Sequence, residues 1–426
     1  MEPMRNFSLI SIAAVFIASA QTREDRIAKS IEGIQTSLIT QRRDFHMRPE
    51  LSNREERTSR VIAEKLKALG LEDIRTGVSR YGVVAMLKGA KPGPVVAIRA
   101  DMDALPIEET IDVPYKSKNK GVKHACGHDI HMTVALGTAE VLSRMRSEVA
   151  GSVKFIFQPA EEGPPEGETS GAARMVEEGA LDNPRPQAIF ALHDTPALKV
   201  GQLGYGTGPL LASADSFTIR VSGKRVHAAW PHQGIDPIVI SAEMIAALQT
   251  IRSRRIDPLE SMVLTIGSIH GGNRHNIIPD EVVMEGTVRT HNEQVRERVR
   301  TLMKEILTGT AATHGATAQL TWSTQSYPPT VNNTSEVEAA LPALRRSAGA
   351  ANVIRTPPVM GAEDYSYFLK TIPGFMFWLG VANPEKGMTA MLHTADFDAD
   401  EASLPVGVKA MTNLVLDYMD RHPTRR

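Results

Sequence analysis

The chain has little of what marks disulfide-stabilised, membrane-spanning or nucleic-acid-binding proteins. It contains one cysteine in 426 residues, which excludes an intramolecular disulfide. Its 48 basic and 49 acidic residues give a net charge of −1, without the basic excess typical of proteins that bind nucleic acids. After residue 20, no stretch approaches the ~20 uninterrupted apolar residues that a membrane-spanning helix needs. We therefore expect no nucleic-acid partner and no stable membrane insertion.

The first twenty residues have the order typical of a secretory signal peptide. Arg5 precedes an apolar run at 9–17, and Ala-Ser-Ala follows at 18–20. This pattern predicts cleavage near Ala20 and a secreted or periplasmic protein. An uncleaved anchor or the first turn of an amphipathic helix would be the alternatives.

The remaining chain alternates short apolar strands with helical patterns. Helical periodicity over 25–69 ends at Gly70, and strands are predicted at 82–87, 94–98, 153–157 and 188–192, with helices at 131–147 and 405–418. This alternation predicts an α/β fold with a mostly parallel sheet and helices on both faces.

The pattern changes between residues 214 and 323. Strands are predicted at 216–221, 261–269, 281–289 and 317–322, with helices at 236–252 and 295–313. This order is the ferredoxin-like β-α-β-β-α-β unit. Since 426 residues exceed what one core usually organises, we expect a signal peptide (1–20), a catalytic domain in two parts (21–213 and 324–426) and an inserted domain (214–323).

Candidate metal donors cluster in a few segments. One thiol and three imidazoles lie within residues 124–131, and such donors suit zinc and similar divalent ions. Adjacent Glu161 and Glu162 follow a predicted strand, so one could bind a metal while the other acts as a general base. His193 also follows a predicted strand, and His393 lies near the C-terminus; each alone would more often be structural.

Several motifs occur together in one order along the chain: RADMDALP at 99–106, HACGHDIH at 124–131, QPAEEG at 158–163, ALH at 191–193, GKRVHAAWPH at 223–232, NIIP at 276–279 and GAEDY at 361–365. In this combination the chain resembles the M20 metallopeptidase family. The similar branch is that of the amidohydrolases, which includes hippurate hydrolases, aminoacylases and auxin-conjugate hydrolases. The resemblance runs from about residue 27 to residue 418.

The resemblance implies two divalent ions, with zinc or manganese favoured and cobalt or nickel left as alternatives, and it implies the roles of their ligands. The implied ligands are Cys126, His128, Glu162, His193 and His393. Glu161 would be the general base, and Asp103 would orient a ligand without binding metal. The reaction implied is hydrolysis of the amide bond of an N-acyl amino acid by a metal-activated water. A dipeptidase or carboxypeptidase of the same family, or a non-catalytic metal-binding protein on the same fold, would be the alternatives.

The inserted domain would complete the site as a lid and dimerisation domain. By resemblance, His227 reaches the partner subunit's active site in a homodimer, where it could donate to an oxyanion. His232 would be structural, while Asn276 and Arg289 would hold the substrate's polar end. Arg289 could equally be an ordinary surface residue on a strand. Lys224, Arg225 and Val226 are bulkier than the family's usual residues before this histidine, which could alter the loop.

Overall fold

The computed structural model describes residues 21–423, and the predicted signal peptide lies outside this range. The described chain begins with three helices, α1 (Arg23–Glu32), α2 (Gln35–Met47) and α3 (Glu56–Ala68), where the sequence predicted one helical stretch. Thr22 and Asp25 cap α1 by exchanging side-chain-to-backbone hydrogen bonds. Between α2 and α3, Asn53 has φ of +60°, a left-handed conformation that a continuous helix cannot contain.

An eight-stranded sheet forms the centre of the larger unit, in the order β1-β2-β4-β3-β5-β16-β6-β15. The four strands β4, β3, β5 and β16 pair in parallel, whereas β1 and β2 add an antiparallel edge. The predicted mostly parallel sheet is therefore confirmed. The strands are β1 (Glu72–Val78), β2 (Gly82–Lys88), β3 (Lys91–Asp101), β4 (Ala150–Gln158), β5 (Ala188–Lys199), β6 (Leu203–Tyr205), β15 (Val353–Arg355) and β16 (Gly374–Ala382).

Both faces of this sheet are covered. Neighbouring residues such as Ala97 and Ile98 belong to different hydrophobic clusters, because successive side chains of a strand point to opposite faces. The cluster containing Ile98 packs under the long helices α4 and α10, and the other packs under the short helices α5 and α9. The helices are α4 (His128–Arg144), α5 (Gly171–Glu177), α8 (Thr334–Ala348), α9 (Ser366–Leu369) and α10 (Ser403–Arg421).

Residues 215–322 form a smaller unit with its own sheet and hydrophobic core. Its antiparallel sheet has the order β10-β12-β8-β13, and the chain runs β-α-β-β-α-β, as in a ferredoxin-like unit. The elements are β8 (Asp215–Ser222), β9 (Val226–His227), α6 (Pro237–Thr250), β10 (Met262–Gly271), β11 (Ile277–Ile278), β12 (Glu281–Thr290), α7 (Glu293–Thr313) and β13 (Thr317–Trp322).

The chain enters and leaves the smaller unit at one place. The flanking strands β7 (Gly208–Leu211) and β14 (Thr330–Asn332) pair with each other in antiparallel orientation. Because these two flanking strands are paired, the smaller unit is inserted into the chain of the larger one at a single place. Among residues 21–423, no helix combines the length and apolar character needed to cross a membrane.

Candidate metal centre and active site

The predicted metal donors converge at the edge of the sheet toward which the carboxyl ends of the parallel strands point. Cys126 lies two residues before the start of α4 and His128 is the first residue of that helix, while Glu162 follows β4. His193 lies inside β5, because this strand continues past the predicted end at 192. His393 lies on an irregular segment, with φ of +62° and its N–H donating to the carbonyl oxygen of Ala125 at 2.8 Å.

Two of the imidazoles are fixed in the orientation that a metal ligand needs. Nδ1 of His128 lies 2.8 Å from the carbonyl oxygen of Asp103, and Nδ1 of His193 lies 2.8 Å from that of Asp194. When Nδ1–H donates to a carbonyl, the lone pair is on Nε2. Nε2 of His193 lies 3.5 Å from Sγ of Cys126, so the lone pair faces the thiol.

The donors form two groups of three that share one thiol. Cys126, His128 and His193 form the first group, and Cys126, Glu162 and His393 form the second; within each, the ligand atoms lie within 4.8 Å of one another. Nε2 of His393 is 3.2 Å from both Sγ of Cys126 and Oε1 of Glu162. Such a shared donor suits two adjacent ions.

The residues fit a divalent cation on two further observations. Nε2 of His128 is buried without a hydrogen-bond partner among the described residues, at 3.8 Å from the nearest oxygens of Asp101 and Glu161. Burial, together with the carboxylates of Glu162 and Glu161, raises the pKa of the Cys126 thiol well above its usual range. A bound cation would stabilise the thiolate against both effects.

Gly127 allows this close packing. Its φ of +75° lies in the left-handed region, and a Cβ at this position would collide with the carboxylate of Asp194. Any other residue between Cys126 and His128 would therefore push the two donors away from β5.

Asp103 holds the loop that carries both glutamates. Its Oδ1 accepts from the N–H of Glu161 and its Oδ2 from the N–H of Glu162, each at 3.0 Å, while the Ser52 hydroxyl donates to Oδ2 at 2.7 Å. Since these bonds and the carbonyl contact to His128 all arise at one residue, Asp103 orients three residues of the site.

Glu161 lies almost fully buried at the floor of the cleft, beside the donors. Burial and the neighbouring carboxylates of Glu363 and Glu162 raise its pKa well above the usual range of a glutamate. Its carbonyl oxygen accepts from the hydroxyl of Tyr327 at 2.7 Å, which fixes the backbone from the far side. A carboxyl group of raised pKa beside metal donors is suited to exchanging protons with a substrate.

A cleft of about 940 Å³ opens over the donors. Glu161 and Glu162 are the acidic residues of its lining, and Arg289 from β12 reaches it from the smaller unit. The apolar part of the lining includes Leu198, Leu211, Val359, Met360, Trp378 and Met391. The Trp378 ring lies 5.8 Å from that of His193, so the apolar part begins at the metal donors.

His227 and Asn276 lie together but away from the cleft of their own chain. β9 and β11 pair His227 with Ile277, and the N–H of Ala228 donates to the carbonyl oxygen of Asn276 at 3.0 Å. Both predicted residues are exposed, and neither is part of the cleft lining within residues 21–423. His232 is also exposed.

Two features of the site were missed from the sequence. Tyr327 follows the smaller unit in an irregular segment, and no motif marks it. The second is a buried chain in which Nδ1 of His131 lies 2.7 Å from Asp101 and Nε2 lies 3.0 Å from Asp194. Because both of its nitrogens contact carboxylates, we interpret His131 as a support for the neighbouring metal donors. The two aspartates that follow predicted strands could have indicated this.

Curated relatives cover nearly the whole chain. Thermostable carboxypeptidase 2 of Saccharolobus solfataricus is 39% identical over 93% of this chain and 99% of its own. N-acetylcysteine deacetylase of Bacillus subtilis is 38% identical over 91% of this chain and 98% of its own. A solved structure described as a dinuclear metal-binding peptidase of family M20 from Bacillus subtilis is 36% identical, covers 91% of this chain and 99% of its own, and superposes with a TM-score of 0.78.

The predicted secreted or periplasmic location is wrong by the same comparison. The match covers 98% of the Bacillus subtilis deacetylase but 91% of this chain. The unmatched part of the deacetylase is too short to be a counterpart of a 20-residue leader. A short apolar run after a basic residue is a weak signal, because it can arise without any targeting role.

The resemblance to the M20 family is confirmed by a family model. Peptidase family M20/M25/M40 matches residues 97–417, which span the strand before Asp103 to the last helix and include every predicted metal donor. The relatives include a carboxypeptidase and a deacetylase, and both names describe hydrolases. The prediction of an enzyme is therefore also confirmed. The chain therefore belongs to peptidase family M20/M25/M40 and is a metal-dependent amidohydrolase or peptidase.

Proposed function

We propose that the enzyme hydrolyses N-acyl amino acids whose acyl group is apolar. The observation that carries this proposal is the composition of one cleft, whose lining combines metal donors and Glu161 with two arginines, Arg289 and Arg355, and with many apolar side chains. A substrate that carries both a carboxylate and an apolar acyl group matches that combination of groups.

The proposed ligands are Cys126, His128, Glu162, His193 and His393, holding two ions of zinc or manganese. Such a pair supplies Lewis-acid polarisation of the amide carbonyl and a lower pKa for a bound water. Glu161 takes the proton of the attacking water and returns it to the leaving nitrogen. Asp103 keeps Glu161 and Glu162 in place through their backbone N–H groups.

Arg289 would bind the substrate carboxylate. The guanidinium lies half-buried in the cleft, and burial lowers its pKa. The nearby carboxylate of Asp215 is already held by Arg296 and Arg300, at 2.7 and 2.5 Å. Arg289 therefore has donors available for a planar carboxylate, which a guanidinium can bind through two hydrogen bonds.

The apolar lining of the cleft supports an acylated substrate over an unblocked dipeptide. A dipeptide would bring a charged ammonium into the acyl side of the cleft, where the described lining offers Glu161 and Glu162 as its only carboxylates, and both have proposed tasks. Placing an unpaired charge against apolar side chains is costly. A carboxypeptidase that acts on N-blocked substrates would satisfy the same cleft.

The smaller unit, residues 214–323, is proposed as the inserted lid and dimerisation domain. His227 would donate to the oxyanion in the partner subunit's site, since it does not reach its own. The same unit exposes several large apolar side chains, as an interface between subunits would require: Trp230, Ile238, Val239, Ile269 and Ile277.

Hydrolysis of a matched substrate panel tests the proposal. The metal-loaded enzyme is offered one amino acid bearing acetyl, butanoyl, hexanoyl or benzoyl groups, along with unblocked dipeptides and carboxamide analogues, and the released amine is measured. We expect kcat/KM to rise about 3- to 4-fold per added CH₂ and to fall for the carboxamides. Faster cleavage of unblocked dipeptides would refute the proposal.

A further inference from the structure

We infer that Lys123 is a positioning residue that holds His393 in the second donor group. This residue has no role in the proposed chemistry, yet its side chain is fully buried. It stands three positions before Cys126, in an irregular segment. A buried ammonium persists only where its charge and donors find partners.

The partners of Lys123 lie on the segment that carries His393. Nζ donates to the carbonyl oxygens of Ala395 at 2.9 Å and Phe397 at 2.5 Å. The Glu109 carboxylate, 3.7 Å away, supplies the opposite charge. One side chain thus binds the carbonyls of the residues two and four positions after the histidine.

The backbone of Lys123 is itself anchored to the loop of Asp103. The N–H and the carbonyl of Lys123 exchange hydrogen bonds with Leu105, at 3.0 and 2.9 Å. Lys123 therefore connects the loop that orients Glu161 and Glu162 with the segment that carries His393. Because Cys126 follows Lys123 three residues later, this connection lies next to the metal donors.

His393 depends on such a connection more than the other imidazoles do. His128 is part of α4 and His193 is part of β5, so backbone ladders hold them. His393 stands on a segment without helix or strand, and 52% of its side chain is exposed. Besides Lys123, the N–H of His393 bonds to Ala125 and the N–H of Thr110 bonds to Ala395, while Arg42 and Tyr115 hold the carboxylate of Asp398 at the far end of the segment.

The consequence is a difference between the two donor groups. Loss of the Lys123 ammonium leaves the carbonyl of Phe397 without its donor and that of Ala395 with the N–H of Thr110 alone, and the segment after His393 gains freedom. The group Cys126, Glu162 and His393 is then weakened, whereas Cys126, His128 and His193 keep their supports. Partners of this kind change metal affinity by about 10- to 100-fold.

The test is a metal titration of the apo enzyme, with Lys123→Met compared with the wild type. Met keeps the length and apolar character of the stem and removes the ammonium. Calorimetric titration with Zn²⁺ alone is expected to show two steps in the wild type, of which one weakens by at least about tenfold in Lys123→Met. His393→Ala should weaken the same step.

Lys154→Met is the matched control. Lys154 is also buried and donates to a backbone carbonyl, that of Asp182, at 2.7 Å, but it contacts no donor of the site. It is expected to change thermal stability without changing either step. If Lys123→Met fails to fold, Lys123→Gln replaces it, since an amide of shorter reach loses the contact with at least one carbonyl.

The outcomes separate this inference from the ligand assignment on which it rests. A wild type that binds fewer than two ions would overturn the ligand assignment. Two ions in the wild type, with both steps unchanged or equally weakened in Lys123→Met, would overturn the role of Lys123 alone. Faster amide exchange at 394–397 in the apo variant, without a change around His128, would support it.

Discussion

The carboxylate of Asp103 accepts the backbone N–H groups of Glu161 and Glu162 through its two oxygens, each at 3.0 Å. Glu161 and Glu162 lie in a turn that follows β4, so no strand ladder fixes their directions. By fixing both N–H groups, Asp103 holds one glutamate toward His128 and the other toward His393. A single side chain thereby separates the proposed base from the proposed ligand.

Asp103→Ala is expected to loosen this loop and weaken metal binding. Loss of both acceptors should lower metal affinity by about 10- to 100-fold and reduce kcat even at saturating metal. Metal retained after dialysis against a graded chelator, together with kcat, measures the effect. Ser52→Ala removes one donor to the same carboxylate and should have a smaller effect; an equal effect would contradict the central role of Asp103.

Glu161→Gln is expected to abolish proton transfer while the metals stay bound. General acid–base groups contribute about 10²- to 10⁴-fold, so kcat should fall by that order. Metal content measured by atomic emission should match that of the wild type. Glu162→Gln is the contrasting variant, because it should lose metal as well as activity. Retained turnover in Glu161→Gln would exclude this residue as the base.

His227→Ala is expected to be inactive by itself but to complement Glu161→Gln. If the two residues meet across a dimer, each mixed dimer contains one intact site of two. After subunits of the two variants are exchanged in equal amounts, about half of the dimers are mixed, so activity should return to about a quarter of the wild-type value. His232→Ala, also exposed on the smaller unit, should stay active. A monomer with full activity in sedimentation experiments would contradict the arrangement.

Arg289→Gln is expected to weaken binding of the substrate carboxylate. Loss of a bidentate charged contact should raise KM for N-acyl amino acids, by about 10-fold or more, and leave the already slow carboxamides unaffected. Steady-state kinetics on both substrate classes measures this difference. Arg220→Gln, which removes an exposed arginine paired with Glu281 on the neighbouring strand, serves as the control.

Glu55→Gln is expected to remove part of the pH dependence of stability. Burial and the neighbouring Asp103 raise the pKa of Glu55 to about 8, whereas an unfolded glutamate titrates near ~4.3. Between these values the folded protein binds a proton that the unfolded chain has released, so its contribution falls as pH rises toward 8. Thermal unfolding of the apo protein from pH 5 to 9 should show a flatter profile for Glu55→Gln.

Much of the fold could be predicted because its elements have strong local patterns. The buried strands β2 to β5 are short apolar runs, and helices such as α4 and α10 have helical periodicity. β1 was missed because it lies at the sheet edge, where Glu72 to Thr76 stay largely exposed and show no alternation. The first helical stretch was overextended because its breaks depend on single residues such as Asn53.

The sequence by itself determined which donors are available, because a thiol, an imidazole or a carboxylate carries its chemistry wherever it lies. It also indicated that Glu162 and His193 would approach one edge of the sheet, since both follow apolar strands. Only the tertiary structure decided which nitrogen of His128 is available, how Asp103 separates Glu161 from Glu162, and that His227 stays away from its own cleft. These depend on hydrogen bonds and packing between residues far apart in the chain, which no local pattern encodes.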